Sequence, residues 1–591
     1  MQKVTDYKPL DIVELPRLGK LTCAGLTVIV GPNSSGKSQL LRDLYSRIIG
    51  EPRSLVVAST IRIKKPDLDP LIDCLRRDGY LTSFKDDNDT EHIRPLTTHV
   101  GTGKAASVIP FSQSQNWLSS YSAAEASSKR PNQFLGYFGP LIVTALFLDR
   151  RLNSVSNVGS FDFETQPPQN DIQALYVDDG GRLELFNEIQ ATFGKSLWLD
   201  STKGNSLCFR ISNDPTMPVA EDRLSPKKMS AYRTIETEGD GLKSYVATCI
   251  ALLLGRRPVC IVDEPEMCLH PPQAYNLGRF IGRFGASVER ATFVATHSSH
   301  VLRGVIQATS AIQIVRLTRR GDAFEAHLVP SVVLSEILRR PTVRAETVLD
   351  GIFSQAVIVL EADGDRTVYQ AAYETLVDEY KLDIHFTPVG GTGGIADTCR
   401  LYRTLRIPIA VIVDLDIFAD PDRLEKIASS LVDQKEAERL ATSARAIANA
   451  IKATPPTVTE DEIRSKLAEV LNHQMSWSAG DDQKLRASLG ELATALDRMR
   501  RLKRGGIAAL PAETMNSAKE LLLELGRIGL FVVPVGELEE WLSGYDVHTS
   551  KSNKWAWANE AAAKILAAGP KNDDIWIFVR SIVDFLRGSL R

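Results

Sequence analysis

Hydrophobic positions along this chain fall into short, nearly unbroken runs separated by amphipathic stretches. LTVIV (26–30), LIVTALFLDR (141–150), the run in RRPVCIVDEPE (256–266) and the run in RATFVATHSSH (290–300) each read as a buried strand. QLLRDLYSRII (39–49) has the spacing of an amphipathic helix, so the segment from Leu21 to Leu44 predicts strand, glycine-rich loop and helix. Continuous apolar strands alternating with helices indicate a mainly parallel sheet buried on both faces. The pattern then restarts with AVIVLE (356–361), IHFTPVGG (384–391), IPIAVIVDLD (407–416) and GLFVVPVGE (529–537). Residues 80–135 are polar with weak periodicity and predict loops and short elements inserted in the first domain.

Two α/β domains follow: residues 1–340, and residues 350–591 with a mostly helical insertion at about 420–530. EILRRPTVRAETV (336–348) reads as the linker between them. A length of 591 residues exceeds what one core supports, and 43% hydrophobic with 24% charged residues is the composition of a globular protein. No fixed-period repeat appears, nor a coiled coil long enough for a rod.

The seven cysteines are scattered without a CxxC pair, which fits a reducing compartment, and the cytoplasm is the expected location. The N-terminus lacks the apolar stretch of a signal peptide, and no run reaches the ~20 apolar residues that span a bilayer. A net charge of −3 gives no global attraction to nucleic acid, so contact with DNA would need local basic patches or bridging metal ions.

Gly31-Pro32-Asn33-Ser34-Ser35-Gly36-Lys37-Ser38 follows a strand and opens a helix, the context in which a P-loop works. Backbone N–H groups of Asn33 to Ser38 wrap phosphates, Lys37 neutralises the β/γ oxygens of ATP, and Ser38 ligates Mg²⁺. Asp263 and Glu264 end the buried run VCIVDE, suited to holding the ion through water and to polarising the attacking water. His297, thirty-three residues after Glu264, ends the next apolar strand, placed to touch a γ-phosphate.

GPNSSGKS, VDEPEMCLHP and ATHSSH together resemble the ABC-type ATPases of the RecF, Rad50 and OLD group, as Walker A, Walker B with D-loop, and switch histidine. The resemblance implies a head-to-head homodimer in which a signature helix completes the partner's ATP site. Glu238-Gly239-Asp240-Gly241-Leu242-Lys243-Ser244 is the candidate, with Ser244 toward the nucleotide, and it departs from LSGGQ.

In the second domain, Glu361 ends a predicted buried strand and Asp365 follows four residues later at the start of a helix. Asp414 and Asp416 end another strand, where residues two apart share a face. Carboxylates gathered at neighbouring strand ends repel unless a cation compensates, which indicates Mg²⁺ or Mn²⁺. A glutamate and a DxD pair, with Val389-Gly390-Gly391-Thr392-Gly393-Gly394 between them, resembles the Toprim domain of topoisomerases, primases, RecR-like proteins and OLD nucleases over roughly residues 350–560. Ala362 stands where Toprim proteins usually have glycine. Glu537 and Glu539 resemble the extra acidic ligands of the OLD type, which imply a two-metal site; the bland reading is that Glu537–Glu540 begin a solvated helix. OLD-like nucleases also carry a lysine near the scissile phosphate, for which Lys551 and Lys554 are candidates.

Arg498, Arg500, Arg501, Lys503 and Arg504 form the densest positive run, either a DNA-backbone contact or a solvated helix end. The resemblance implies an ATP-coupled DNA endonuclease with Glu264, His297, Glu361, Asp414 and Lys554 in its chemistry, a part in bacterial defence against phage, and on occasion a helicase or another defence component beside it. The competing expectation is a RecF- or SMC-like clamp that binds DNA with ATP and cleaves nothing. A topoisomerase would need a transesterifying tyrosine in a DNA-gate domain, for which there is no room, and a primase would incorporate nucleotides.

Overall fold

The computed structural model describes the chain except residues 1–6, 97–106, 122–130, 214–225, 330–345, 454–458, 473–485, 487–488, 491–504, 551–552, 573 and 591. The chain forms two compact units, Met1–Phe353 and Ser354–Arg591.

The centre of the first unit is a six-stranded sheet of β1 (Gly25–Val30), β2 (Val143–Leu146), β3 (Val259–Asp263), β4 (Ala291–Ala295), β5 (Ile312–Arg320) and β6 (Ala323–Val329), in the order β6-β5-β1-β4-β3-β2. All neighbours are parallel except the β5–β6 hairpin. Every residue of β1, β3 and β4 is buried, which is why these strands read as unbroken apolar runs. α1 (Lys37–Ile48) leaves β1 through the glycine-rich loop and buries Leu40, Leu41, Leu44 and Ile48. A core shared with β1, β3 and β4 takes up that face.

Two sequence expectations are corrected here. LIVTALFLDR is not one strand: a helix, Gln133–Ile142, runs into it, β2 covers Val143–Leu146, and Leu148–Arg151 is a helical turn. Periodicity cannot separate a buried helix end from a buried strand in so short an apolar run. Residues 80–135 are likewise more regular than their polarity suggests, with an antiparallel sheet of Leu81–Lys85, Glu91–Pro95 and Ile109–Pro110. Its Asp and Asn residues are turn chemistry: the Asp86 carboxylate accepts the N–H groups of Asn88 and Thr90, and Asp89 takes a left-handed φ of 59°.

The second unit is built on four parallel strands, β7 (Ala356–Leu360), β8 (Ile384–Pro388), β9 (Ile409–Val413) and β10 (Leu530–Val532), in the order β8-β7-β9-β10. α3 (Asp363–Glu374), α4 (Lys554–Ala568) and a helix at Asp574–Leu590 pack a core of Tyr369, Trp557, Ile565 and Trp576 against the sheet. Between β9 and β10 the described residues include helices Pro421–Leu431, Gln434–Ala453, Glu460–Asn472 and Ala512–Arg527. No helix among the described residues is long and apolar enough to cross a membrane. All seven cysteines are free thiols.

Candidate nucleotide and metal edges

In parallel strands all carboxyl ends lie along one edge of the sheet, where α/β proteins gather their binding groups. On the first sheet that edge carries the P-loop after β1, Asp263 and Glu264 at the end of β3, and His297 after β4. Gly31 has φ 144° and a Cβ there would lie 2.1 Å from the Leu317 carbonyl oxygen, so the turn out of β1 admits no side chain. Gly36, φ 95°, caps α1. Asn33 and Ser34 are exposed at the loop's crest, whereas Ser35 is buried and its hydroxyl has no hydrogen-bond partner.

Lys37 Nζ donates to the carbonyls of Gly31 (2.8 Å) and Pro32 (2.9 Å). Burial lowers its pKa, and Glu264, Glu266 and Asp263 pull it back up. Ser38 Oγ donates to Asp263 Oδ1 at 2.9 Å, joining the two residues expected to share a magnesium ion. Burial raises the pKa of Asp263, opposed by the Ser38 hydrogen bond. These donors fit a Mg–nucleotide: loop N–H groups and one ammonium for phosphates, a hydroxyl and a carboxylate for the hard cation.

Two residues of this edge escaped the sequence reading. Arg151, 0% exposed, donates to the backbone carbonyls of Asp263 (2.8 Å) and Glu264 (3.0 Å), fixing the chain where Glu264 takes φ 46°. Glu266 is buried and one of its oxygens accepts from Thr296 Oγ1 and from the His297 N–H, both at 2.8 Å. His297 Nδ1 lies 3.2 Å from Glu266 and 3.5 Å from Glu264, so the ring sits between the two carboxylates. A third carboxylate two residues after the Asp–Glu pair was the available signal.

Ser244 is placed differently from the expectation. It lies in α2 (Asp240–Leu254), is 1% exposed, and its hydroxyl has no hydrogen-bond partner. The solvent-facing part of that segment is the helix start at Gly239 and Asp240.

On the second sheet, the same kind of edge carries Glu361 after β7, Gly390 and Gly391 after β8, Asp414 after β9 and Glu537 beyond β10. Gly391, φ 118°, donates its N–H to the Glu361 carbonyl (2.8 Å), and the Leu415 N–H donates to the Gly536 carbonyl (3.0 Å), tying neighbouring exits together. Asp365 stands in the first turn of α3, where its carboxylate accepts the Ala362 N–H at 3.1 Å. Burial pushes its pKa up to about 6; Glu539 adds to the rise and Lys554 opposes it, so these three side chains share one neighbourhood. Tyr369 feels Asp414, Asp365 and Glu539 together.

Asp416 does not extend β9. The strand ends at Val413, Asp414 caps a 3₁₀ turn over Leu415–Ala419, and Asp416 lies within that turn, so the shared-strand-face argument fails for this pair. Glu537 likewise caps a 3₁₀ turn, Leu538–Glu540, that contains Glu539. Lys554 is the first residue of α4, while Lys551 and the basic run from Arg498 to Arg504 lie outside the described residues. The donors are all hard oxygens, the kind that suits Mg²⁺ or Mn²⁺. Among the described residues no three His, Cys, Asp or Glu side chains converge as a ready-made ion cage.

The second unit's parallel sheet, with acidic residues after β7 and β9 and a glycine-rich loop between, is of the Toprim class. Residues 352–416 match the family described as "Overcoming lysogenization defect protein-like, TOPRIM domain". The chain is also 23% identical over 474 residues to the OLD nuclease of Thermus scotoductus, a match covering 72% of this chain and 83% of that protein. The resemblance to the OLD group read from the motifs is thereby borne out. Among solved structures, an Smc head bound to the C-terminal winged-helix domain of ScpA overlays at TM-score 0.30 with 11% identity, over 55% of this chain and 97% of that one. The C-terminal region of the Burkholderia pseudomallei OLD protein overlays at TM-score 0.18 with 18% identity, over 40% of this chain and all of that one.

Proposed function

We propose that the chain is an ATP-controlled, divalent-metal-dependent DNA endonuclease or nickase of the OLD type, acting in the bacterial cytoplasm against phage. The observation that carries the reading is the edge of the second sheet, where Asp365, Glu539 and Lys554 act on one another and Asp414 stands beside them. Partly buried like charges beside a lysine suit a site that waits for cations and a phosphodiester.

Glu361, Asp365, Asp414, Asp416, Glu537 and Glu539 would hold two ions, which when bound supply a nucleophilic water and charge stabilisation at the leaving oxygen. Lys554 neutralises the scissile phosphate. In the first unit Lys37 exchanges its loop carbonyls for the β/γ-phosphates, and Glu264 orients the attacking water. His297, held through Nδ1 by Glu266, presents its other ring nitrogen to the γ-phosphate. The start of α2 at Gly239 and Asp240, with its unsatisfied N–H groups, meets the partner's nucleotide in a homodimer. A helicase or another defence component is a further partner.

The test is cleavage of supercoiled and linear DNA with Mg²⁺ or Mn²⁺, with and without ATP, in wild type, Glu361→Ala and Lys37→Ala. Loss of cleavage in Glu361→Ala, with an ATP effect only when Lys37 is intact, supports the reading. ATP-dependent DNA binding without cleavage of any substrate would replace it with the non-cleaving clamp.

A further inference from the structure

α4 opens beside the acidic edge of the second sheet. A Cβ on Gly364, the residue before Asp365, would lie 3.7 Å from the Ala558 Cβ, so the start of α3 packs on α4 close to its own start. Lys554 and Trp555 stand four and three residues before Ala558, the spacing of neighbours on a helix surface, which puts both within a turn of that contact. Trp557 is 4% exposed and packs in the core, whereas Trp555, about 200° round the helix from it, is 76% exposed, the most exposed large apolar side chain among the described residues. The backbone beneath that ring is held in place. Asn553 Oδ1 accepts the Ala556 N–H at 3.3 Å, Asn559 Nδ2 donates to the Trp555 carbonyl at 2.8 Å, and Glu560 accepts the N–H groups of His548 (3.0 Å) and Thr549 (2.9 Å). No acidic residue stands in the first turn of α4. An indole face carried on a fixed helix start, next to an ammonium and with no carboxylate on its own turn, matches a nucleotide: the lysine suits a phosphate and the indole suits a base.

We propose that Trp555 is a stacking platform for an unpaired base next to the scissile phosphate, so that the second unit takes single-stranded or locally opened DNA in preference to intact duplex. The inference rests on the metal-nuclease reading, in which Lys554 neutralises that phosphate. Inside a duplex both faces of a base are covered by its neighbours, and the indole has nothing to stack on. An unpaired base offers a free face whatever its identity, so the preference is for the state of the strand rather than for its sequence. A protein-docking surface would need a contiguous apolar patch, whereas the helix neighbours of Trp555 include the exposed Lys554 and Asn559. Loss of one stacked base corresponds to about 5- to 150-fold in affinity.

The test is binding of a labelled oligo(dT) strand, and of a blunt duplex of the same length, to the full-length protein by fluorescence anisotropy. A Glu361→Ala parent leaves the DNA uncut, and Trp555→Ala, Trp555→Leu and Trp555→Phe are compared in that background. Trp555→Ala should weaken single-strand binding by about 5- to 150-fold and leave duplex affinity as it was. Trp555→Phe should keep most of the affinity, and Trp555→Leu, apolar but without a π face, should lose it. An abasic position moved along the strand should cost the parent a similar factor at one place and cost Trp555→Ala nothing further there. Equal losses on strand and duplex, no loss on either, or a parent that binds no single strand would overturn the inference. So would normal DNA binding by Trp555→Ala with a changed mass in light scattering, which would assign the indole to a protein contact. Wild type that cuts no DNA with Mn²⁺, or cuts it equally well after Glu361→Ala, would instead overturn the metal-nuclease reading beneath it.

Discussion

Lys37 sits in its own loop, bonded to two carbonyls that a phosphate would have to displace. Lys37→Ala is expected to abolish ATP binding in a fluorescent-nucleotide titration, with the fold intact by circular dichroism. Glu264→Gln should keep ATP binding and lower turnover about a hundredfold or more, because only the polarised water is lost. Asp365 gives a pH signature. With the folded-state value raised from 3.8 to about 6, the folded state holds a proton that the unfolded state has released in that window. Metal-free protein therefore loses stability, at most about 3 kcal/mol, as pH rises from about 4 to about 6, and stays level above. In EDTA, Asp365→Asn should raise the melting temperature at pH 7.5 and converge on wild type near pH 4; equal curves would refute the assignment. The P-loop and the acidic strand ends were legible because their chemistry is local in sequence. Arg151, whose partners lie 112 and 113 residues away, was not.

The helices Pro271–Gly285 and Ser299–Ala308, which follow β3 and β4, cross on glycines. A Cβ at Gly278 would lie 2.2 Å from the Val301 carbonyl oxygen, and one at Gly304 would lie 2.2 Å from that of Tyr275. The crossing packs the helix after β3 closely against the helix after β4, two strands that are themselves neighbours in the sheet. Gly278→Ala should cost about 1–3 kcal/mol in chemical denaturation and reduce ATP turnover more than ATP affinity. Turnover equal to wild type would show that the crossing serves packing alone. Elements of this kind were partly readable: fully buried parallel strands announce themselves by unbroken apolar runs. The hairpin at 81–95 hid behind its Asp-rich turn, and β2 behind the helix that runs into it.

Across the whole molecule a net charge of −3 gives no global attraction to DNA, so the proposed nuclease would hold it through local basic patches or bridging metal ions. Replacing Arg500, Arg501 and Lys503 with alanine should weaken binding alike for all sequences. It should also flatten the slope of log K against log salt by roughly 0.9 for each phosphate no longer neutralised. An unchanged slope would assign that run to a solvated helix. The division into two α/β units was legible because the strand pattern restarts; the burial of Ser244 was not, because α2 is apolar around most of its circumference. The long excursion between β9 and β10, neighbours in the sheet, also imposes a schedule on the ribosome. At roughly 5–20 residues per second, the segment carrying Glu537 and Glu539 emerges on the order of ten to forty seconds after the first unit is complete at Phe353. A newborn chain thus completes the sheet edge of its first unit before the acidic edge of its second.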